Sequence, residues 1–174
     1  RIYDCDYVRT SDSDAFDEAS AFHPGRSAVI LKDGKAIGIL GEIHPDVAEN
    51  YGIEVKVYAA KLNVPEMLKL SEKDVTYKPM PKFPATTRDL SLICDDNLPA
   101  ASIEKAIKKA AGKVLEKVTL FDVYKGKQIE EGKKSISYSI SMRSHDGTLT
   151  DEQADSVMKK VLKALKDIGA DLRM

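Results

Sequence analysis

The stretch at residues 78–96, KPMPKFPATTRDLSLICDD, constrains the fold more than any other part of the sequence. Its three prolines exclude a helix and favour an extended chain up to Arg88. The residues that follow alternate in polarity, with Leu90, Leu92 and Cys94 on one side, which is typical of a half-buried β-strand. We therefore predict a linker that runs directly into a strand.

The distribution of charge changes at the same place. Residues 1–76 hold 9 Lys and Arg against 14 Asp and Glu, a net charge of −5, whereas residues 77–174 hold 18 against 14, a net charge of +4. A chain of 174 residues with 43% hydrophobic content is long enough for two small domains, and we predict them at 1–76 and 77–174. A mildly basic domain is compatible with a nucleic-acid partner, although most such surfaces are merely solvated.

Several classes of protein are excluded by composition. No apolar run approaches the roughly 20 residues that a membrane-spanning helix needs, and the N-terminus lacks a charged segment followed by an apolar one. The two cysteines, Cys5 and Cys94, lie far apart and form no CxxC pair. We expect a soluble, reduced, cytoplasmic protein that makes no contact with a membrane or with DNA.

The region before the linker predicts a mixed α/β structure. The first twenty residues are acidic and without a clear period, so we expect a loop or a fragment of an element whose partners are missing. Asp33 and Gly34 predict a hairpin between strands at 28–31 and 36–41, followed by a short helix after Pro45 and a strand at 55–64. Too few helices are present to cover these apolar strands, and we infer that the region belongs to a larger domain.

The region after the linker predicts the order βαββαβ. The elements are a strand at 87–94, a helix that begins after Pro99 and ends at Gly112, strands at 114–124 and 134–143, a helix from Thr150 to Gly169, and a strand at 170–174. This order is typical of a ferredoxin-like α+β fold, with both helices on one face of a four-stranded antiparallel sheet. The strand at 114–124 has apolar residues on both sides, so a bulge is possible and its facing stays open.

The other face of this sheet is predicted to be open and polar. Residues of the two central strands, together with arginines near the strand ends, are the candidate RNA contacts: Arg88, Ser91, Ser135, Ser137, Ser139, Ser141 and Arg143. Two simpler interpretations remain, because exposed serines are usually just solubilising, and Arg88 follows the side of Leu90 and would then pair with Asp89 or Asp122. The aromatic platform of RRM domains is absent, since Tyr138 lies on the buried side.

No catalytic or metal-binding set of residues is found. His23 and His44 each precede a proline, but no third ligand at metal spacing and no nucleophile accompanies them. Gly38 and Gly41 are not part of a phosphate-binding loop pattern. We expect a chain that has no catalytic activity and binds no cofactor by itself.

Eight short motifs together indicate a known family. They are FHPGRSA (22–28), GILGEIHP (38–45), FP (83–84), RDL (88–90), LFDVYKG (120–126), GKKS (132–135), TLTD (148–151) and LR (172–173). Each one is weak, but in this order and spacing the sequence from residue 22 onwards resembles the carboxyl end of the bacterial phenylalanine–tRNA ligase β subunit.

The resemblance implies the role of each domain. Residues 1–76 would be the end of a class II synthetase-like core without catalytic motifs, and residues 77–174 a ferredoxin-fold anticodon-binding domain. The partners would be the anticodon arm of tRNA(Phe) and the α subunit of an α2β2 ligase. Aminoacylation with ATP and magnesium would then take place on that α subunit. Two alternatives stay open: a regulatory module that binds a small molecule at the loop 95–100, and an oligomerisation module that uses the open sheet face.

Overall fold

The computed structural model of the chain describes residues 5–70, 77, 80–144 and 146–173. The chain divides into two compact units, residues 1–77 and residues 78–174. The first residues of the proline-rich linker, 78 and 79, lie outside the described residues. Within the described part of the chain, no helix is long and apolar enough to cross a membrane.

The first unit contains a four-stranded antiparallel sheet. Its strands, in spatial order, are β1 (Asp6–Arg9), β2 (Phe22–Lys32), β3 (Lys35–Ile43) and β4 (Tyr58–Leu62), and two short helices follow β3 and β4, α1 (Pro45–Asn50) and α2 (Val64–Lys69). The predicted β2–β3 hairpin is confirmed, with positive φ angles at Asp33 and Gly34 that suit a tight two-residue turn.

Two expectations for the first unit need correction. The acidic first twenty residues include β1, which is not isolated but pairs with β2 from Asp6↔Leu31 to Arg9↔Ala28. Strand β2 begins at Phe22 rather than at residue 28, because a register shift between Phe22 and Ser27 allows the Pro-Gly segment to remain in the strand.

The second unit confirms the predicted ferredoxin-like fold. Its elements are β5 (Thr86–Asp95), α3 (Ala100–Ala111), β6 (Leu115–Tyr124), β7 (Lys133–Met142), α4 (Asp151–Lys166) and β8 (Ala170–Leu172). The strand order is β6-β7-β5-β8, so β5 and β7 are central, as expected. The predicted capping box is present at the start of α4, where Thr150 accepts from the Gln153 N–H and Gln153 accepts from the Thr150 N–H.

One face of this second sheet packs against α3 and α4. The buried side chains from these strands and helices include Leu90, Leu92, Cys94, Ile103, Ile107, Ile136, Tyr138, Ile140, Met142, Ala154, Val161 and Leu165. Tyr138 is fully buried, and its hydroxyl donates to the Ala100 carbonyl at 3.2 Å, so the polar end of the ring is satisfied. Burial also raises the pKa of Tyr138 well above its ordinary value.

The facing of β6 is decided by two register shifts, one at Glu116 and one at Phe121. The possible bulge is therefore confirmed. Between the shifts, Val118 and Leu120 lie opposite Ile140 and Tyr138, which belong to the helix-covered face. Beyond Phe121, Asp122 and Tyr124 lie opposite Ser137 and Ser135, so these two residues belong to the open face.

Candidate nucleic-acid interface

Four serines of β7 form the centre of the open sheet face. Ser91 on β5 lies opposite Ser137, and the two hydroxyls are hydrogen-bonded at 2.8 Å. Ser139 and Ser141 are partly accessible. Alternation along the strands therefore placed all five serines on the predicted face.

Two of the predicted contact residues are much less accessible than expected. Ser135 and Ser137 are only 2% and 5% exposed. Ser135 lies between Tyr124 and Ile93 on the neighbouring strands, and Arg173 donates to its hydroxyl at 3.4 Å. The larger neighbours cover Ser135, and Ser137 lies between Ser91 and Asp122, so both serines form the floor of the face rather than its surface.

Arg88 is not on the open face. It shares the helix-covered side with Leu90, and its Nη2 atom lies 2.7 Å from Asp151 and 3.6 Å from Asp155 at the start of α4. The hydrogen bond that Arg88 donates to the Asp151 carboxylate raises the pKa of Arg88. The alternative prediction, an ion pair within the domain, thus gave the right side for Arg88 but the wrong partners. The partner is Asp151, which lies 63 residues later in the chain, rather than Asp89 or Asp122.

Arg143 lies at the end of β7 and is also engaged. Its guanidinium binds both carboxylate oxygens of Glu116, at 3.0 and 3.1 Å, and donates to the Phe83 carbonyl. Ser141 donates to the same carboxylate at 3.0 Å. These contacts, the one with Arg143 first, lower the pKa of Glu116. Through these contacts, Arg143 holds the linker at Phe83 and the first bulge of β6 against the end of β7.

The sequence-based prediction missed two aromatic residues of β6. Phe121, at the second bulge, is 57% exposed, and Tyr124 on the open face is 37% exposed. A Cβ atom at Gly126 would lie 2.4 Å from the Tyr124 hydroxyl, so the glycine of LFDVYKG allows the ring to lie over the following turn. Both aromatic residues belong to the motif LFDVYKG. The bulge at Phe121 changes which side chains of the motif face outward, and the sequence pattern alone does not show that change.

The open sheet face also carries charges of both signs. Asp89, Asp122 and Asp171 are exposed on the open face, together with Lys117 and Arg173. Carboxylates repel phosphate groups and accept hydrogen bonds from the amino groups of bases. The face therefore suits unpaired bases better than a continuous phosphate backbone.

The loop proposed for small-molecule binding is occupied by a side chain of the domain itself. Lys134, at the start of β7, is largely buried, and its Nζ atom donates to the carbonyls of Asp96 and Leu98 at 2.9 and 2.7 Å. Lys125 forms an ion pair with Asp96. These contacts hold the loop 95–100 against the sheet.

The two histidines of the first unit lie near each other, with ring centroids 6.4 Å apart. The Nδ1 atom of His23 accepts from the Gly25 N–H at 3.1 Å, and that of His44 accepts from the Asp46 N–H at 3.3 Å. Both rings therefore hold local turns. Among residues 5–70, 77, 80–144 and 146–173, no three His, Cys, Asp or Glu side chains are grouped so as to hold a metal ion.

Comparison with known families assigns this fold. Residues 81–173 match the model of the ferredoxin-fold anticodon binding domain. The chain belongs to the ferredoxin-fold anticodon-binding domain family. In the first unit, residues 5–64 match the model of the phenylalanyl tRNA synthetase beta chain CLM domain. The open sheet face described above therefore belongs to a ferredoxin-fold anticodon binding domain.

Similar proteins extend the match over both units. The phenylalanine–tRNA ligase β subunits of Clostridium acetobutylicum and Clostridium tetani are 44% and 46% identical to the chain over 157 residues, which are 90% of the chain and 20% of each relative. That of Symbiobacterium thermophilum is 43% identical over 88% of the chain and 17% of the relative. The predicted resemblance is confirmed, and the chain spans about a fifth of the length of these curated relatives.

Proposed function

We propose that residues 78–174 bind the anticodon arm of tRNA(Phe) through the open sheet face. The observation that carries the proposal is the exposed aromatic ring of Tyr124 on this face of an anticodon-binding domain, with Phe121 exposed at the neighbouring bulge. The hairpin loop of a stem-loop presents unstacked bases, and single-stranded RNA is recognised mainly by stacking and by contacts to base edges.

Each group on the face has a distinct part in this binding. Tyr124 and Phe121 stack on bases, and the buried serines Ser135 and Ser137 keep the floor low enough for bases to approach the sheet. Ser91, Ser139 and Ser141 supply hydroxyls that donate to or accept from the RNA.

The two arginines, Arg88 and Arg143, stabilise the positions of the elements around this surface. Arg88 fastens β5 to α4, and Arg143 fastens the linker to β6. The direct contacts of Arg88 and Arg143 with RNA, predicted from the sequence, are retained here as a proposal only for Arg143, which lies at the end of the open face.

We further propose that the chain is part of a longer protein with the role of its relatives, the phenylalanine–tRNA ligase β subunits. It would be the β subunit of a cytoplasmic phenylalanine–tRNA ligase that joins phenylalanine to tRNA(Phe) in protein synthesis. In this proposal the reaction, with its ATP and magnesium, takes place on the α subunit of an α2β2 assembly. The first unit then serves as part of a non-catalytic core, and the second positions the tRNA.

The test is binding of the full 174-residue chain to the anticodon stem-loop of tRNA(Phe) and to an unrelated stem-loop. Stacking is worth about 1–3 kcal/mol per base, so we expect Tyr124→Ala to lose about this much affinity for the cognate stem-loop. Tyr51→Ala, which removes an exposed ring of the first unit, is the matched control and should bind as the unchanged chain does.

Two results would count against the proposal. Equal affinity of the chain for both stem-loops would show that the chain does not recognise the anticodon. An unchanged affinity in a folded Tyr124→Ala variant would move the contact away from this face. Sedimentation of the chain alone distinguishes the remaining alternative, because a dimer that RNA cannot dissociate would support an oligomerisation role for the open face.

A further inference from the structure

We propose that the helical layer of the second unit is a second RNA contact, which binds the phosphate backbone without reading sequence. This inference rests on the proposed function, since that function supplies the RNA. It concerns α3 and α4, which cover the opposite face of the sheet from the serines and Tyr124.

Lysines form stripes on the exposed sides of both helices. They are Lys105, Lys108 and Lys109 on α3, Lys113 just after it, and Lys159, Lys160, Lys163 and Lys166 on α4. Spacings of three and four residues bring side chains together on one side of a helix. The two helices pack against each other, and they run antiparallel because the central strands that precede them do. The stripes therefore belong to one surface.

These lysines are almost entirely without acidic partners. Within the described part of the chain, only Lys108 has a carboxylate within 4 Å, that of Glu104 at 3.9 Å. The cations around the sheet behave differently, since Arg88, Arg143, Lys125 and Lys133 all form ion pairs. Positive charge on the helical layer is thus available to an external anion, whereas these four cations around the sheet are neutralised by the domain itself.

Requirements of the fold account for only part of this pattern. Lysines in the last turn of a helix interact favourably with its dipole, which explains Lys108 and Lys109 on α3 and Lys163 and Lys166 on α4. Lys105, Lys159 and Lys160 lie outside the last turn, and like charges three or four residues apart destabilise a helix. An anionic partner offsets that repulsion.

A phosphodiester backbone fits this surface better than a compact anion does. The lysines are spread along two helices rather than directed into a pocket, and each ammonium is a flexible point charge that suits successive phosphates. An acidic protein surface is the competing occupant. The open face lies on the other side of the sheet, so the contacted backbone belongs to a different part of the RNA from the anticodon loop.

The experiment measures binding of the full chain to a complete, unrelated tRNA transcript across a range of salt concentrations. The variant is Lys159→Gln with Lys163→Gln, in which glutamine keeps a similar helix propensity. The matched control is Lys56→Gln with Lys82→Gln, which removes the same charge from two exposed lysines outside the helical layer. Lys105→Gln with Lys109→Gln repeats the test on α3, and circular dichroism checks folding.

The expected result is weaker binding and a salt slope lower by about one counterion for each lysine removed, in both helix variants and not in the control. The ratio of affinities for the cognate and unrelated anticodon stem-loops should stay the same, because the open face is untouched. A chain that fails to discriminate the stem-loops but shows this change of slope would disprove the proposed function while supporting the lysine contact.

Two outcomes would overturn the inference. One is a helix variant that is folded and has the same affinity and salt slope as the control. The other is a variant that loses binding to polyglutamate but keeps its binding to the transcript, which would assign the surface to an acidic protein.

Discussion

The two units present the same kind of sheet in different settings. Both contain four antiparallel strands, but the described residues of the second unit include fourteen buried hydrophobic side chains against six in the first. In the second unit, two amphipathic helices cover one sheet face. In the first, every residue of the edge strand β4 is exposed, and Leu62 on it is 46% exposed. The comparison shows that strand pairing alone does not bury an apolar surface; a second layer does.

The largest expected effect is on the independent folding of the units. Residues 78–174 should fold by themselves, whereas residues 1–77 should be only marginally stable, because their sheet is less covered. Limited proteolysis of the chain followed by mass spectrometry should leave a resistant fragment that begins near residue 77. A resistant fragment from the first unit would reverse the comparison.

A smaller effect is expected from shortening one leucine in each sheet. Leu92→Ala removes a fully buried side chain between β5 and the helices and should lower the free energy of unfolding of the second unit by about 2–5 kcal/mol. Leu62→Ala on β4 leaves no enclosed cavity and should cost less than about 1 kcal/mol. Urea unfolding followed by circular dichroism measures both, and equal costs would show that β4 is covered more than its exposure indicates.

The smallest effect concerns the ion pair at the edge of the second sheet. Arg143 holds the pKa of Glu116 below its ordinary value of 4.5 in the folded chain. A depressed carboxyl pKa contributes stability above the unfolded value and loses it as the pH falls through the folded one. Below about pH 4.5 the second unit should therefore lose part of its stability, and Glu116→Gln should reduce that loss.

The measurement is the midpoint of thermal unfolding between pH 3 and pH 7, with Glu54→Gln as the control. Glu54 is an exposed carboxylate of the first unit with no ion pair to the described residues. An identical pH dependence in the Glu116 and Glu54 variants would mean that solvent screens the pair with Arg143 completely.

Local patterns predicted the second unit well because its elements have a clear period. The alternation from Ser135 to Met142 identified a strand and both of its faces, and Thr150 with Gln153 identified the start of α4. The bulge at Phe121 was less predictable, since a change of register depends on the partner strand. Tyr124 was missed as a surface residue for that reason.

The contacts of the candidate site depended on distant segments. Arg88 was predicted as an RNA contact, and its period only left open the covered side, where its partner Asp151 comes from a helix that only the folded chain brings near. The accessibility of Ser135 is set by Tyr124 and Ile93, which come from two other strands. Lys134 continues the apolar side of β7, yet its ammonium is satisfied by backbone carbonyls of another loop.

The sequence by itself determined the order of elements in the second unit, the buried face of each of these elements except β6, and the family. Hydrophobic period, turn residues and helix caps act over a few positions, and the family motifs are short. Only the tertiary structure decided which charges are neutralised, which serines are covered and which aromatic rings are exposed. Those properties depend on strand register and on neighbours tens of residues apart, and side-chain spacing along one strand or helix carries no information about them.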